Sequence, residues 1–191
     1  MIAGSRDMSG AMTFAAEAAY RMGTGLVKIY THIDNKEIAG VRIPEAVLMC
    51  YSNKDEAEQC ARDAVEWSDA ILIGPGIGKG DAARSMVEYI MCEAVQTVIA
   101  DADALNIISE KPDILGRHRG PVIVTPHIGE MTRIPERSAT TYVSAIPMTT
   151  ALRSGKMPMQ AVKPVRVLSL MIMECCQSMN TLRVNHWKIA G

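Results

Sequence analysis

Three short, mostly apolar runs constrain the fold of this chain more than any other feature of its sequence. They lie at residues 70–73 (AILI), 97–100 (TVIA) and 121–124 (PVIV). None alternates regularly between apolar and polar side chains, a pattern typical of strands that are buried on both faces. Segments with good helix propensity separate them. The order of elements therefore predicts an α/β fold, with helices on both faces of a mainly parallel sheet.

The rest of the first two thirds of the chain continues this alternation. Helix formers and glycine stops predict helices over residues 10–22, 55–67 and 80–95. Runs of β-prone residues predict further strands over residues 25–30 and 46–51, and the end of a buried strand over residues 1–5.

The charge and cysteine content exclude several classes of protein. With 20 basic and 21 acidic side chains, the chain has a net charge of -1 and no overall field that would recruit nucleic acid or an anionic membrane. No apolar run approaches the roughly 20 residues that a bilayer crossing needs, and the amino terminus lacks a signal-peptide pattern. Five cysteines without Cys-x-x-Cys spacing favour a reducing compartment over disulfides or zinc. We therefore expect a cytoplasmic protein with no metal site formed by cysteine and histidine ligands.

The composition changes near residue 134. Residues 1–134 carry 13 basic and 19 acidic side chains, a balance of -6, whereas residues 135–191 carry 7 and 2, a balance of +5. The second segment contains six methionines and no aspartate. The sequence thus predicts one domain over residues 1–134 and an atypical basic, methionine-rich tail over residues 135–191, which is either folded or disordered.

Four turns that follow predicted strands are candidates for a functional site, because ligands of parallel sheets bind at the carboxyl ends of the strands. We number them in chain order: turn 1 is residues 4–11 (GSRDMSGA), turn 2 is 74–80 (GPGIGKG), turn 3 is 101–106 (DADALN) and turn 4 is 125–130 (TPHIGE). Turn 1 is either a plain glycine turn or an anion site at a helix start. Turn 2 lacks the Ser or Thr of a Walker loop; it is either a tight connection or a place where a ligand approaches the backbone closely.

Turns 3 and 4 carry titratable side chains. Asp101 and Asp103 can hold magnesium indirectly, fix a ribose hydroxyl or, for Asp103, cap the next helix. His127 and Glu130 are expected near the mouth of the sheet, where a histidine is either structural or functional.

Together, these four turns resemble those of the ADP/ATP-dependent NAD(P)H-hydrate dehydratases, repair enzymes with a ribokinase-like fold. Residues 18–27 (AAYRMGTGLV) are also similar to that family, and the resemblance covers residues 1–134. It implies a three-layer αβα sandwich that is incomplete at its C-terminal end and that has a further strand upstream of residue 2.

The resemblance also implies a reaction. In this family the hydroxyl that water adds to the nicotinamide ring of NAD(P)H is phosphorylated from ADP or ATP with Mg²⁺, and phosphate then leaves. The positions that correspond to hydrate contacts are Ala11, Gly78 and His127. Supporting roles are implied for Asp101, Asp103, Asn106 and Glu130. A small-molecule substrate and a homo-oligomer, without nucleic acid or membrane partners, are implied as well.

One family motif has no counterpart in the sequence. The family uses Gly-Thr-Gly-Asp or Gly-Ser-Gly-Asp to bind the transferred phosphoryl group and to supply the catalytic aspartate, so no catalytic base is assigned here. A shifted reading frame or a truncation beyond residue 134 is our hypothesis for this loss. Three functions stay open: a dehydratase of impaired activity, a vitamin-precursor kinase of the same fold, or a non-catalytic remnant that binds nucleotide or forms oligomers.

Overall fold

The computed structural model describes residues 1–131 and 142–144, in which six α-helices and six strands alternate along the chain. The strands are β1 (Lys28–His32), β2 (Val47–Tyr51), β3 (Ala70–Ile73), β4 (Thr97–Ala100), β5 (Val122–Val124) and β6 (Tyr142–Ser144). The helices are α1 (Ser9–Arg21), α2 (Lys36–Arg42), α3 (Lys54–Trp67), α4 (Asp81–Glu93), α5 (Asp103–Glu110) and α6 (Ile128–Met131). Two 3₁₀ turns lie at Ile33–Asn35 and Pro112–Arg117.

All the paired strands run parallel, as the sequence predicts. β1 pairs with β2, and β3, β4, β5 and β6 pair in chain order. Ile2 joins the two groups, because it forms parallel bridges to Tyr30 of β1 and to Ile73 of β3. The resulting order, β2-β1-Ile2-β3-β4-β5-β6, brings the carboxyl ends of the strands to one edge of the sheet. The predicted α/β class is confirmed.

Two buried clusters lie on opposite faces of this sheet. Ile29 packs with residues of α1 and α2, whereas its neighbour Tyr30 packs with residues of α3, α4 and α5. Since successive strand residues point to opposite faces, helices cover both sides. The larger cluster includes Met86 and Ile90 of α4, both fully buried, and burying each side chain contributes about 1.5–3 kcal/mol. The packing is therefore the three-layer arrangement that the resemblance implies.

Local sequence locates some elements better than others. β3 and β4 occupy the predicted residues, whereas β1 begins at Lys28 instead of residue 25 because its pairing with β2 starts there, and Leu26 is exposed. The sequence does not predict α2, which contains a helix-weakening Gly40, or the three-residue strand β6. No helix among the described residues combines the length and apolarity that a bilayer crossing requires.

β6 lies in the segment that we predict to be an atypical tail. It pairs in parallel with β5 from Tyr142 to Ser144. The remaining residues of the tail lie outside the described part of the chain. The division at residue 134, the shifted frame and the possible disorder of the tail stay predictions.

Candidate functional site

Turns 1 and 2 are joined through their backbones. The Gly4 N–H donates to the Pro75 carbonyl at 2.9 Å, and the Ser5 N–H donates to the Gly76 carbonyl at 2.5 Å. Gly76 has a φ of +65°, and a Cβ added there would lie 2.7 Å from the Cβ of Ala11. Only glycine allows the two turns to approach this closely.

Two buried polar residues support turn 1 from beneath. The Thr31 hydroxyl donates to the Gly4 carbonyl at 3.0 Å, while the Asn35 amide donates to the Ser5 carbonyl at 3.0 Å and to the Thr31 hydroxyl at 2.8 Å. Both side chains are almost fully buried. Local sequence does not single them out, although Thr31 directly follows the predicted strand over residues 25–30.

Turn 3 contacts turn 2 at two points. The Gly78 N–H donates to Oδ2 of Asp103 at 2.9 Å. Gly74 has a φ of +128°, and a Cβ added there would lie 1.8 Å from the Asp101 carbonyl oxygen. Capping of the next helix by Asp103 is wrong, because Ala102 occupies the N-cap position of α5 and the Asp103 carboxylate turns toward Gly78 instead.

Turn 3 also contacts turn 4. The Thr125 hydroxyl donates to Oδ1 of Asp101 at 2.7 Å. Burial raises the pKa of the Asp101 carboxyl, and it outweighs the opposing hydrogen bonds from Thr125 and from the Ala102 N–H. The charge of Asp103 raises this pKa further. Asp101 is thus a half-buried acid that faces turn 4.

Strain is concentrated between the two aspartates. Ala102 has φ 48° and ψ -114°, and it is the one residue other than glycine with a positive φ in residues 1–131. Such a conformation costs on the order of 1–3 kcal/mol and persists only where surrounding contacts impose it. Here the backbone and side-chain amides of Asn106 both donate to the Ala102 carbonyl, at 3.2 and 3.3 Å. The bend directs Asp101 toward turn 4 and Asp103 toward turn 2. Local sequence does not predict the positive φ of Ala102, because alanine is not enriched in that region.

In turn 4, His127 and Glu130 bind each other. The His127 N–H donates to Oε2 of Glu130 at 2.9 Å, and its ring Nε2 lies 3.2 Å from Oε1 of the same carboxylate. The histidine side chain is 69% exposed, whereas that of Glu130 is 8% exposed. A buried carboxylate therefore holds an imidazole that is open to solvent.

The four turns thus form one continuous series along the carboxyl edge of the sheet. Ala11 on turn 1 contacts turn 2, Gly78 on turn 2 is bonded to turn 3, and His127 follows a segment of turn 4 that is bonded to turn 3. Their contact with a hydrate stays a prediction.

The described residues do not fit a dedicated magnesium cage. Residues 1–131 and 142–144 contain no group of three or more histidine, cysteine, aspartate or glutamate side chains placed to hold a metal ion. Mg²⁺ is commonly held by one or two carboxylates together with substrate phosphates, so the protein alone rarely supplies every ligand. We therefore assign no step to Mg²⁺ through these residues.

Comparison with solved structures identifies the fold class. The chain is similar to a ribokinase-like superfamily protein from Enterococcus faecalis, with a TM-score of 0.60 and 29% identity over 73% of this chain and 49% of that chain. It is also similar to an ADP/ATP-dependent NAD(P)H-hydrate dehydratase from Bacillus subtilis that was co-crystallised with ATP and Mg²⁺. That match has a TM-score of 0.56 and 31% identity, over 70% of this chain and 45% of the other. The predicted ribokinase-like fold is confirmed.

Comparison of sequences then identifies the family. The sequence model of the family described as NAD(P)H-hydrate dehydratase matches residues 1–152. This chain belongs to that family. It is 36% identical over 134 residues to the bifunctional NAD(P)H-hydrate repair enzyme Nnr of Coxiella burnetii, covering 70% of this chain and 26% of that enzyme. It is 32% identical over 136 residues to the ADP-dependent (S)-NAD(P)H-hydrate dehydratase of Staphylococcus aureus, covering 70% of this chain. The match spans 47% of that second relative, so the chain corresponds to less than half of either.

Proposed function

We propose that this chain acts in the ADP- or ATP-dependent dehydration of (S)-NAD(P)H hydrate to NAD(P)H. The observation that carries the proposal is the unbroken series of contacts that links turns 1 to 4 at the carboxyl edge of the sheet. In an open α/β sheet this edge is where a ligand binds. Membership of the NAD(P)H-hydrate dehydratase family supports the choice of substrate.

The proposed reaction has two steps. The ring hydroxyl of the hydrate loses its proton to solvent and attacks the terminal phosphorus of ADP or ATP, which forms a new O–P bond and releases AMP or ADP. The ring C–O bond then breaks with loss of phosphate, and the neighbouring carbon loses a proton to restore the double bond. Hydroxide leaves poorly and phosphate leaves well, so the protein has mainly to position the reactants.

The described residues would supply the hydrate side of this site. Gly78 has a φ of +74°, and a Cβ added there would have Ser5 as its nearest neighbour, 3.8 Å away. The space beside Gly78 is therefore open to a ligand, and the backbone can be approached closely. Ala11 and His127 would complete the contacts with the hydrate. Asp103, which accepts the hydrogen bond from the Gly78 N–H, would hold Gly78 in position.

Location and assembly are part of the same proposal. We include in it a cytoplasmic location and a homo-oligomeric assembly. A small-molecule substrate, without nucleic acid or membrane partners, agrees with a charge of -1 and with the class of the family.

The test is an assay of NADH recovery. Purified full-length chain is incubated with (S)-NADH hydrate, Mg²⁺ and either ADP or ATP, and the absorbance of regenerated NADH is followed. We expect NADH to appear with one of the two nucleotides, and we expect Gly78→Val, whose side chain fills the open space, to abolish it. Gly116→Val is the control, because nothing lies within 4 Å of a Cβ at that position. Equal rates with and without enzyme would contradict the proposal.

A second candidate is a non-catalytic protein that binds the nucleotide or the hydrate. The observation that favours it is the lack of aspartate in residues 135–191. Binding of hydrate or ADP by calorimetry, without NADH recovery, would select this candidate. Phosphorylation of a vitamin-precursor alcohol, without action on the hydrate, would instead select the kinase of the same fold.

A further inference from the structure

The imidazole of His127 is held by its own turn. Its ring Nδ1 accepts hydrogen bonds from the backbone N–H of Gly129 at 2.9 Å and of Glu130 at 3.3 Å. In return, the Glu130 carboxylate accepts the N–H of His127. This is the reciprocal pattern of a capping box, with histidine in the position that serine or threonine usually occupies.

These contacts define the tautomer of the ring. A nitrogen that accepts a hydrogen bond from a backbone N–H carries no proton, so Nδ1 of His127 is unprotonated. A neutral imidazole then has its proton on Nε2, which lies 3.2 Å from Oε1 of Glu130. The two oxygens of one buried carboxylate thus hold the backbone and the ring of the same histidine.

Gly129 leaves the space that the ring needs. A Cβ added at Gly129 would lie 3.0 Å from Cε1 and 3.3 Å from Nδ1 of His127. Either distance is shorter than an ordinary van der Waals contact, so a side chain there would require the imidazole to shift by a few tenths of an ångström. Glycine at this position and glutamate at the next therefore act on the same ring.

We propose that Glu130 and Gly129 are positioning residues that hold His127 as the neutral Nε2–H tautomer, so that turn 4 offers the hydrate a hydrogen-bond donor and no base. The inference rests on the proposed function, in which His127 contacts the hydrate. The matching group on the ligand is an acceptor oxygen, either the ring hydroxyl or the carboxamide oxygen of the nicotinamide. That oxygen accepts the Nε2–H, which lies near the Glu130 carboxylate in the free protein, and no proton is transferred to the histidine.

The tautomer is read directly by heteronuclear NMR of the histidine ring nitrogens in the full-length chain. His127 is assigned by the signal that disappears in His127→Asn. We expect an unprotonated Nδ1 and a protonated Nε2 at neutral pH. In Glu130→Gln one acceptor oxygen becomes a donor, so the side chain cannot accept from both the His127 N–H and Nε2, and the two tautomers should become mixed. Glu93→Gln, a change of an exposed acid on α4, should leave the signals unchanged.

Gly129→Ala tests the same claim without altering a charge. Its Cβ should displace the ring and mix the tautomers as Glu130→Gln does. A protonated Nδ1 in the unaltered chain, or a single tautomer that survives both substitutions, would overturn the inference. Because these spectra are recorded without ligand, they stand even if the proposed reaction is not found.

Hydrate binding gives the functional arm of the test. Only molecules with a protonated Nε2 can donate to the hydrate, so a mixture of tautomers in Glu130→Gln should raise the KM for the hydrate, roughly twofold for an even mixture, with a smaller change in kcat. In a His127→Asn background the same substitution should have almost no further effect, because the group that it positions is gone. Equal losses in both backgrounds would show that Glu130 acts independently of His127 and would contradict the inference.

Discussion

The carboxyl edge of the sheet and the opposite, amino edge are built in different ways. The positive-φ residues that the structure describes all lie on turns 1 to 3 except Gly23: they are Gly4, Gly74, Gly76, Gly78 and Ala102. The amino edge instead has an ionic cluster at the start of β1. There Lys28 pairs with Asp63 of α3, the Tyr30 hydroxyl donates to Asp63 at 2.6 Å, and the Lys28 ammonium lies 5.4 Å from the centre of the Trp67 ring.

The pKa shifts of the amino-edge cluster follow from its contacts. Burial opposes ionisation of Asp63, but hydrogen bonds from Lys28 and Tyr30 and the charge of Lys28 outweigh it, so the pKa of Asp63 is lowered. Burial, together with the hydrogen bond to Asp63, raises the pKa of Tyr30. All three polar side chains of this cluster therefore have partners.

The two edges are expected to differ in whether a substitution affects stability alone or also function. Positive φ values are concentrated where we propose ligand binding, whereas the other edge carries the ionic cluster of Lys28 and Asp63. Strain of this kind persists when the surrounding fold imposes it, and it is frequent at functional sites. Changes at the amino edge should therefore affect stability alone, and changes at the carboxyl edge should affect both.

The largest loss of stability is expected from Gly74→Ala. Its Cβ would lie 1.8 Å from a backbone oxygen of Asp101, and its φ of +128° is unfavourable for alanine. We expect the free energy of unfolding in urea to fall by about 3 kcal/mol or more. Gly40→Ala in α2, where nothing lies within 4 Å of the new Cβ, should instead raise it by about 0.5–1 kcal/mol. Equal effects of the two substitutions would remove the distinction between the edges.

Asp63→Ala tests the amino edge. It leaves the ammonium of Lys28, whose side chain is 12% exposed, without its carboxylate partner. We expect a loss of about 2–3 kcal/mol in unfolding free energy and no change in the Kd for the hydrate. Glu66→Ala, which removes an exposed acid of the same helix, should stay within about 0.5 kcal/mol of the unaltered chain. A weakened affinity for hydrate in folded Asp63→Ala would mean that the two edges are coupled.

Ala102→Gly should sharpen the comparison by stabilising the protein. Glycine adopts the φ of 48° without the strain that alanine carries, and this gain exceeds the added entropy of the unfolded chain. The expected gain is about 1 kcal/mol in a urea titration. Ala104→Gly, two residues further inside α5, should cost about 1 kcal/mol. If both substitutions destabilise, Ala102 is not strained in solution.

The smallest effect is expected from Asp101→Asn, which should change how the stability of the protein depends on pH. The raised pKa of Asp101 means that the unfolded chain loses this proton first as pH rises. Its contribution to stability is complete below the unfolded value of about 3.9 and is lost as pH rises through the folded pKa. The asparagine can still accept from the Thr125 hydroxyl but does not ionise. Relative to the unaltered chain, it should therefore gain stability with rising pH. Parallel curves of unfolding midpoint against pH would contradict this assignment.

Local sequence was sufficient for the strands of the central sheet and for the positions of the four turns. Runs such as residues 70–73 are apolar throughout. A parallel strand covered by helices on both faces needs such a run, whichever strands it pairs with. The boundaries of β1 and the existence of β6 depend on pairing with another strand, which local sequence does not contain.

The contacts within the site were less predictable than its location. The bond between Asp103 and Gly78 joins residues 25 positions apart, so the capping interpretation, which rests on local sequence, was wrong. The strain at Ala102 depends likewise on tertiary contacts. By contrast, the reciprocal bonds of His127 and Glu130 are local, and their spacing of three residues is that of a capping box.

The most direct test of the central claim is a titration of the full-length chain with (S)-NADH hydrate, followed in the two-dimensional amide NMR spectrum. We expect the amides of Ala11, Gly78 and His127 to shift together with one Kd, while those of Lys28 and Thr97 at the amino edge stay in place. Shifts confined to the amino edge, or shifts of the three turn amides with unrelated affinities, would contradict a shared hydrate site at the carboxyl edge.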